Sequence, residues 1–136
     1  MKTRPKVKIY TDGSCLKNPD GPGGIGVVIV HEDGTEKEFS KGYASTTNNR
    51  AEMLAAIEGL GLLEQYSEVN IYTDSLYLIK GATGVHKRHK NLDLWIPLER
   101  EAKKHKVSYK KVKGHSNDRL NNRCDELARG AAIRLK

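Results

Sequence analysis

Nothing in this chain of 136 residues is apolar for long: no run approaches the roughly 18 residues that a membrane-spanning helix needs. The opening MKTRPKVKIYTD is basic, but polar and β-like residues stand where a secretory signal would carry its apolar core, so no signal is expected. Cysteine is scarce. Cys15 and Cys124 have neither metal-ligand spacing nor the density of a disulfide framework, which fits a reducing cytoplasm. Cys124 falls on an apolar helical stripe, where a free thiol packs as a small apolar group. No set of His and Cys could form a zinc site, and His86 and His89, three apart in a basic stretch, read as solvated. Repeats, low-complexity tracts and linkers are also missing. The expectation is one domain over residues 1–136, large enough to bury a core.

Positive charge is what the chain has in excess. Lys and Arg number 24 against 17 Asp and Glu, a formal net charge of +7. That favours a polyanionic partner. Nucleic acid suits better than an acidic membrane surface, since no amphipathic lipid-binding helix stands out.

Apolar periodicity divides the chain into strands and helices. Val7–Asp12 alternates as a strand and runs into the turn-rich DGSCLKNPDGPGG, after which Ile25–Val30 is a β-branched run of the buried-strand kind. The Glu32-Asp33-Gly34 turn leads to Glu36–Tyr43 and predicts a hairpin. From Asn49 the period becomes helical, with Thr47 or Asn48 as N-cap and the small residues Ala55, Ala56 and Gly59 on a face suited to close approach to a sheet. Val69–Thr73 is a further strand, with a short helix expected from Ser75. Leu92–Lys104 reads as a helix entered through Asn91 or Asp93, with Pro97 tolerable only near its first turn. Ser108–Lys113 is a basic strand. Leu120, Cys124, Leu127, Ala128, Ala131 and Leu135 make a C-terminal amphipathic helix. Strands alternating with helices imply parallel pairing, and the opening hairpin adds antiparallel edges: an α/β fold, a mixed sheet flanked by helices.

Four acids fall by this pattern at element ends or inner helix faces. Asp12 ends the first strand and Asp74 the fourth, so parallel neighbours would bring both to the carboxyl edge, where open α/β sheets hold their sites. Glu52 shares the small-residue face of its helix, and Asp125 borders the last apolar stripe, where a charge is costly unless compensated. Each has an ordinary reading alone: a turn residue, a helix cap, two solvated helix positions. Together they would repel unless cations sat among them. Carboxylate oxygens are the ligands magnesium prefers, in sites often shared with substrate phosphates. Two such ions about 3.5–4 Å apart activate a water and stabilise the leaving oxygen of a phosphodiester.

Four blocks carry a family resemblance: TDGSC at Asp12, TTNNRAE ending at Glu52, YTDS at Asp74, and KGHSNDRLNNRCDELA from His115 to Asp125. In this order and at these separations they resemble type 1 ribonuclease H, most closely its bacterial form, over about Lys6 to Ala132. The resemblance implies a mixed five-stranded sheet with helices on both faces. It implies hydrolysis of the RNA strand of RNA/DNA hybrids by two metal ions, leaving 5′-phosphate and 3′-hydroxyl ends. The cofactor is Mg²⁺, two ions with substrate, with Mn²⁺ as a substitute. Asp12, Glu52, Asp74 and Asp125 match the family's metal-binding acids. His115 matches the histidine that assists proton transfer or product departure. Asn18 and Asn49 match contacts to the minor groove and 2′-hydroxyls, the group that tells RNA from DNA. Thr47 and Asn48 match a pocket that grips a DNA-strand phosphate. A cytoplasmic monomer, with no membrane and no obligate protein partner, is the accompanying expectation.

The chain departs from the pattern in two places. Leu76 stands where many relatives carry a groove-contacting glutamine. The long basic helix and loop before the KNLDLW block is missing, and Gly81–Lys90 (GATGVHKRHK) spans the gap. Lys87, Arg88 and Lys90 would form a reduced basic patch, with Lys103-Lys104-His105-Lys106 as another source of charge, predicting weaker and more salt-sensitive binding. The alternatives are a non-catalytic nucleic-acid-binding module, which loss of an acid would favour, the ribonuclease H domain of a reverse transcriptase, and a transposase or integrase core, which needs another acid arrangement. Met1 and the bacterial-type blocks favour a free-standing enzyme.

Overall fold

Parallel pairing of the first and fourth strands is the relationship on which the rest of the architecture depends. The computed structural model describes residues 4–112 and 118–135. In chain order the elements are β1 (Lys6–Cys15), β2 (Gly23–Val30), β3 (Glu36–Tyr43), α1 (Asn48–Gly61), β4 (Glu68–Thr73), α2 (Leu76–Ala82), α3 (Leu92–Ala102), β5 (Lys106–Lys111) and α4 (Arg119–Ile133). They form a five-stranded sheet in the order β3-β2-β1-β4-β5. The β1–β2 and β2–β3 pairs are antiparallel, whereas β1–β4 and β4–β5 are parallel. This is the mixed sheet expected from the sequence, with helices on both faces.

Side chains of β1 separate the two faces by their period of two. Val7 and Ile9 face α1, joined by Ile25, Val27 and Ile29 of β2 and by Val69 and Ile71 of β4 in the main core. Met53, Ala55, Ala56 and Leu60 close that core from α1, and Leu94, Trp95 and Leu98 add α3. The opposite face holds a smaller core of Tyr10, Val28, Val112 and Cys124 beneath α4. There the Cys124 thiol is wholly buried and donates to the Tyr10 carbonyl at 3.2 Å, as a free thiol on an apolar stripe should. A β-carbon on Gly26 would lie 2.1 Å from the Cys124 carbonyl oxygen, so α4 rests directly on the β2 backbone.

The helix caps follow the residues flanking each run. Thr47 caps α1, its hydroxyl accepting from the Arg50 N–H at 3.1 Å. Ser75 caps α2 and Asp118 caps α4. Several boundaries differ from expectation, and the first bears on the site: β1 runs past Asp12 to Cys15, paired throughout with β2, so Asp12 lies inside the strand. Helix α3 stops at Ala102, and β5 starts at Lys106, because His105 is buried and its Nδ1 accepts from the Ser67 N–H. Pro97 sits in the interior of α3 and not near its first turn. Buried Leu94, Trp95 and Leu98 hold the helix through the missing proline N–H. Leu135 lies past the end of α4 and is exposed.

Candidate active site

The carboxyl ends of β1 and β4 meet the first turn of α1, and three acids converge there. Asp12 extends from β1, Asp74 follows the last residue of β4, and Glu52 reaches across from α1. Each offers a carboxylate oxygen, and these lie within 4.8 Å of one another. Asp12 is only 8% exposed, and Oε1 of Glu52 is sealed from solvent with no hydrogen-bond partner. Gly13 makes the convergence possible. A β-carbon there would lie 2.4 Å from the Ala51 carbonyl carbon and 2.5 Å from the Glu52 nitrogen, so only glycine lets α1 come this close.

Asp125 stands apart from this triangle. It projects from α4 beside buried Cys124, its side chain is 44% exposed, and Arg129 pairs with it at 2.7 Å. It still bears on the site, because its charge helps to raise the Asp12 carboxyl. His115 lies outside the described residues.

Crowding shows in the protonation of the acids. Burial, then the charges of Asp74 and Asp125 and the hydrogen bond with Asp125, push the Asp12 carboxyl up to about 7. Burial, then the charges of Asp12 and Asp74, holds Glu52 well above the usual carboxylate range. The backbone N–H of Gly13 pulls both the other way and is outweighed. A cluster of this kind disfavours its own ionised form until cations join it.

The amide side chains lie at the same edge. The Asn18 side-chain oxygen accepts from the Asn48 N–H at 3.1 Å, and the Asn48 side-chain oxygen accepts from the Cys15 N–H at 2.9 Å. Their oxygens therefore fix the turn, while the NH₂ donors of Asn18 and Asn48 meet no partner among the described residues. Asn18, Asn48 and Asn49 are all exposed. Thr47 is half-buried by its capping role. Leu76, beside Asp74, is 48% exposed and offers no hydrogen bond to a groove.

Sequence inspection missed Arg50. Its guanidinium forks onto Asp93 at 3.0 and 2.8 Å and also donates to Asn91, whose Nδ2 in turn donates to the Tyr77 hydroxyl. This ties the turn that carries Asn48, Asn49 and Glu52 to α2 and α3. Its partners are 41 and 43 residues away, and no local pattern announces them.

The basic connection between α2 and α3 is only partly what the sequence implied. Lys87 and Lys90 are exposed, but Arg88 is committed to the fold. It stacks 4.6 Å above the Trp95 ring, donates to the Gly81 carbonyl at 2.9 Å and pairs with Glu99. The Lys103–Lys106 run sits at the start of β5, the sheet edge opposite the acids, where Lys104 pairs with Glu101 and His105 is buried. That run is no part of the site.

The family model for RNase H matches residues 4–133. A ribonuclease H of Idiomarina loihiensis is 47% identical, the match covering 98% of this chain and 92% of the relative. One from Vibrio campbellii is 48% identical over 93% of this chain and 89% of its own length. Among solved structures, the N-terminal RNase H domain of a Mycobacterium tuberculosis protein superposes with a TM-score of 0.85 at 25% identity, covering 96% of both chains. LC11-RNase H1, solved in complex with RNA/DNA hybrid, gives 0.78 at 27% identity over 94% of this chain and 97% of its own. The mixed sheet described above is thus shared with a class of nucleases. The chain belongs to the ribonuclease H family, in its bacterial type 1 form, and is an enzyme of that family.

Proposed function

We propose that the chain is a single ribonuclease H domain that hydrolyses the RNA strand of RNA/DNA hybrids at the Asp12, Glu52, Asp74 and Asp125 cluster, leaving 5′-phosphate and 3′-hydroxyl ends. The observation that carries this reading is the buried, unpartnered Oε1 of Glu52 beside two further carboxylates. An oxygen acceptor in that position costs free energy unless a cation completes it. All the donors are hard carboxylate oxygens, which fit Mg²⁺, with Mn²⁺ as a substitute. When bound, two such ions supply a water activated for attack and charge stabilisation at the leaving oxygen.

The protein's own groups do the rest. Asp12, Glu52 and Asp74 form the rigid inner set, and Asp125, held by Arg129, approaches from the solvent side. The free amide donors of Asn18 and Asn49 suit 2′-hydroxyl and groove contacts. Thr47 and Asn48 suit a DNA-strand phosphate. His115 acts on the proton balance at the leaving group or on product departure. Two separate free thiols and an uncommitted substrate edge fit a cytoplasmic monomer without an obligate partner.

The test is an assay on labelled RNA/DNA hybrid, RNA duplex and DNA duplex, with Mg²⁺ or chelator, for wild type and Asp12→Asn, with the product ends mapped. Only the hybrid should be cut, only with metal and only by wild type. Cleavage that persists in chelator or in Asp12→Asn overturns the mechanism.

A further inference from the structure

Helix α4 covers only part of its face of the sheet. Its arginines reach toward β3, where Arg119 pairs with Glu36 and Arg123 with Glu38. The other half of that face, made by β4, β5 and the start of β1, has no helix over it among the described residues. Strand register fixes its composition. Lys6, Glu68 and Lys106 form one cross-strand row, Lys8, Asn70 and Ser108 the next, and Tyr10, Tyr72 and Lys110 the third. Lys6, Lys8, Lys106 and Lys110 are exposed, and none makes an ion pair among the described residues, whereas most of the arginines are paired. Glu68 is the one acid in these rows.

Two features give this face a direction and a chemistry. Two residues beyond Tyr10 on β1 stands Asp12, and two beyond Tyr72, just past the end of β4, stands Asp74, so the lysine rows lead toward the acidic cluster over about 20 Å. Tyr10 and Tyr72 stack with centroids 4.6 Å apart and planes 11° from parallel, and the neighbour of Tyr72 on its far side is Lys110. Flat cationic surface beside the half-buried Tyr72 ring, which buried Tyr10 backs, suits a single strand, whose phosphates meet the lysines and whose bases meet Tyr72. A stiff duplex would touch it along one line only.

We infer that this open half-face is a second nucleic-acid surface, holding a single-stranded extension of the RNA strand where it leaves the hybrid bound at the acids. The inference rests on the proposed cleavage of hybrids for its geometry. Binding of a single strand tests it without any catalysis.

The experiment uses the full chain, wild type and the variant Lys6→Gln/Lys8→Gln/Lys106→Gln/Lys110→Gln, with Tyr72→Ala as an independent second variant. Anisotropy of a labelled RNA oligonucleotide in chelator should show binding by wild type and a loss of tenfold or more in the lysine variant. The slope of log affinity against log salt should become shallower by about 3, four phosphates at about 0.7 each. In cleavage assays a single-stranded tail on the RNA strand should lower KM for wild type and not for either variant. Blunt-hybrid kcat, KM and Tm should stay as in wild type for the lysine variant. A tail without effect on wild type, an equal effect in the lysine variant, or an effect confined to tails on the DNA strand overturns the inference. Failure of wild type to cut blunt hybrid would instead count against the proposed function, and the anisotropy arm would still report on the face.

Discussion

Gly13 and Ala51 touch backbone to backbone: a β-carbon on the glycine would lie 2.4 Å from the Ala51 carbonyl carbon. The contact is what sets Glu52 next to Asp12. Gly13→Ala must push α1 away from the end of β1, costing about 1–3 kcal/mol as an overpacked site. Displacing Glu52 by even 1 Å should lower kcat by about a hundredfold. Chemical denaturation together with hybrid cleavage would measure both, and a variant with lowered stability and wild-type kcat would contradict this account of the site.

Stability should depend on pH in a direction that metal reverses. The Asp12 carboxyl is raised to about 7 and Glu52 is raised as well, so both bind protons more readily in the folded protein than in the unfolded chain. Their contribution is fully present below the unfolded value, near 4, and is lost as pH rises through about 7. In chelator, Tm should therefore be lower at pH 8 than at pH 5 from this source. Mg²⁺ should raise Tm more at pH 8, since it requires ionised ligands. Asp12→Asn removes a repelling charge, so it should stabilise the metal-free protein at pH 8 while abolishing cleavage. Calorimetry at the two pH values, with and without Mg²⁺, reads all three effects.

Arg50 should act on substrate rather than on folding. Its pair with Asp93 is partly exposed, so Arg50→Ala should cost only about 0.5–1 kcal/mol. The turn bearing Asn48 and Asn49 would lose its tie to α3, and KM for hybrid should rise with kcat nearly kept. Steady-state kinetics separates the two, and a pure kcat loss would place Arg50 elsewhere in the mechanism.

The connection between α2 and α3 holds cations of two kinds, and mutation should sort them. Arg88→Ala removes the stack on Trp95, worth about 0.5–2 kcal/mol, and should lower Tm without altering the salt slope of hybrid binding. Lys87→Gln/Lys90→Gln should leave Tm unchanged and make the slope shallower by up to about 2. Salt-dependent binding of both variants in chelator checks the pair. Equal slopes throughout would remove this connection from the substrate surface.

Periodicity revealed the elements because each buries a face whose spacing is written locally, as in Val7–Asp12 or the stripe through Cys124. The acids were legible for a related reason: Asp12 lies toward the end of β1 and Asp74 follows β4, and strand direction and register dictate the edge they reach. Long-range pairing left no such trace. Arg88 reads as one more cation in a basic run until Trp95 and Glu99 are seen around it. Lys103–Lys106 reads as a patch beside the acids until parallel pairing of β5 with β4 puts it at the far edge. Pro97 reads as a helix boundary, yet burial of Trp95 and Leu98 carries α3 past it.

Both ends of the α2–α3 connection are fastened, by Arg88 to Gly81 and Trp95 and by Asn91 to Tyr77 and Arg50. Residues 83–87, closed into a loop by the contact of Arg88 with Gly81, are exposed. A longer basic arm spliced in at that point would rise from an anchored base and leave the carboxylates undisturbed. The fold thus keeps cutting and gripping on separately replaceable parts, and affinity for the duplex can be gained or shed without rebuilding the chemistry.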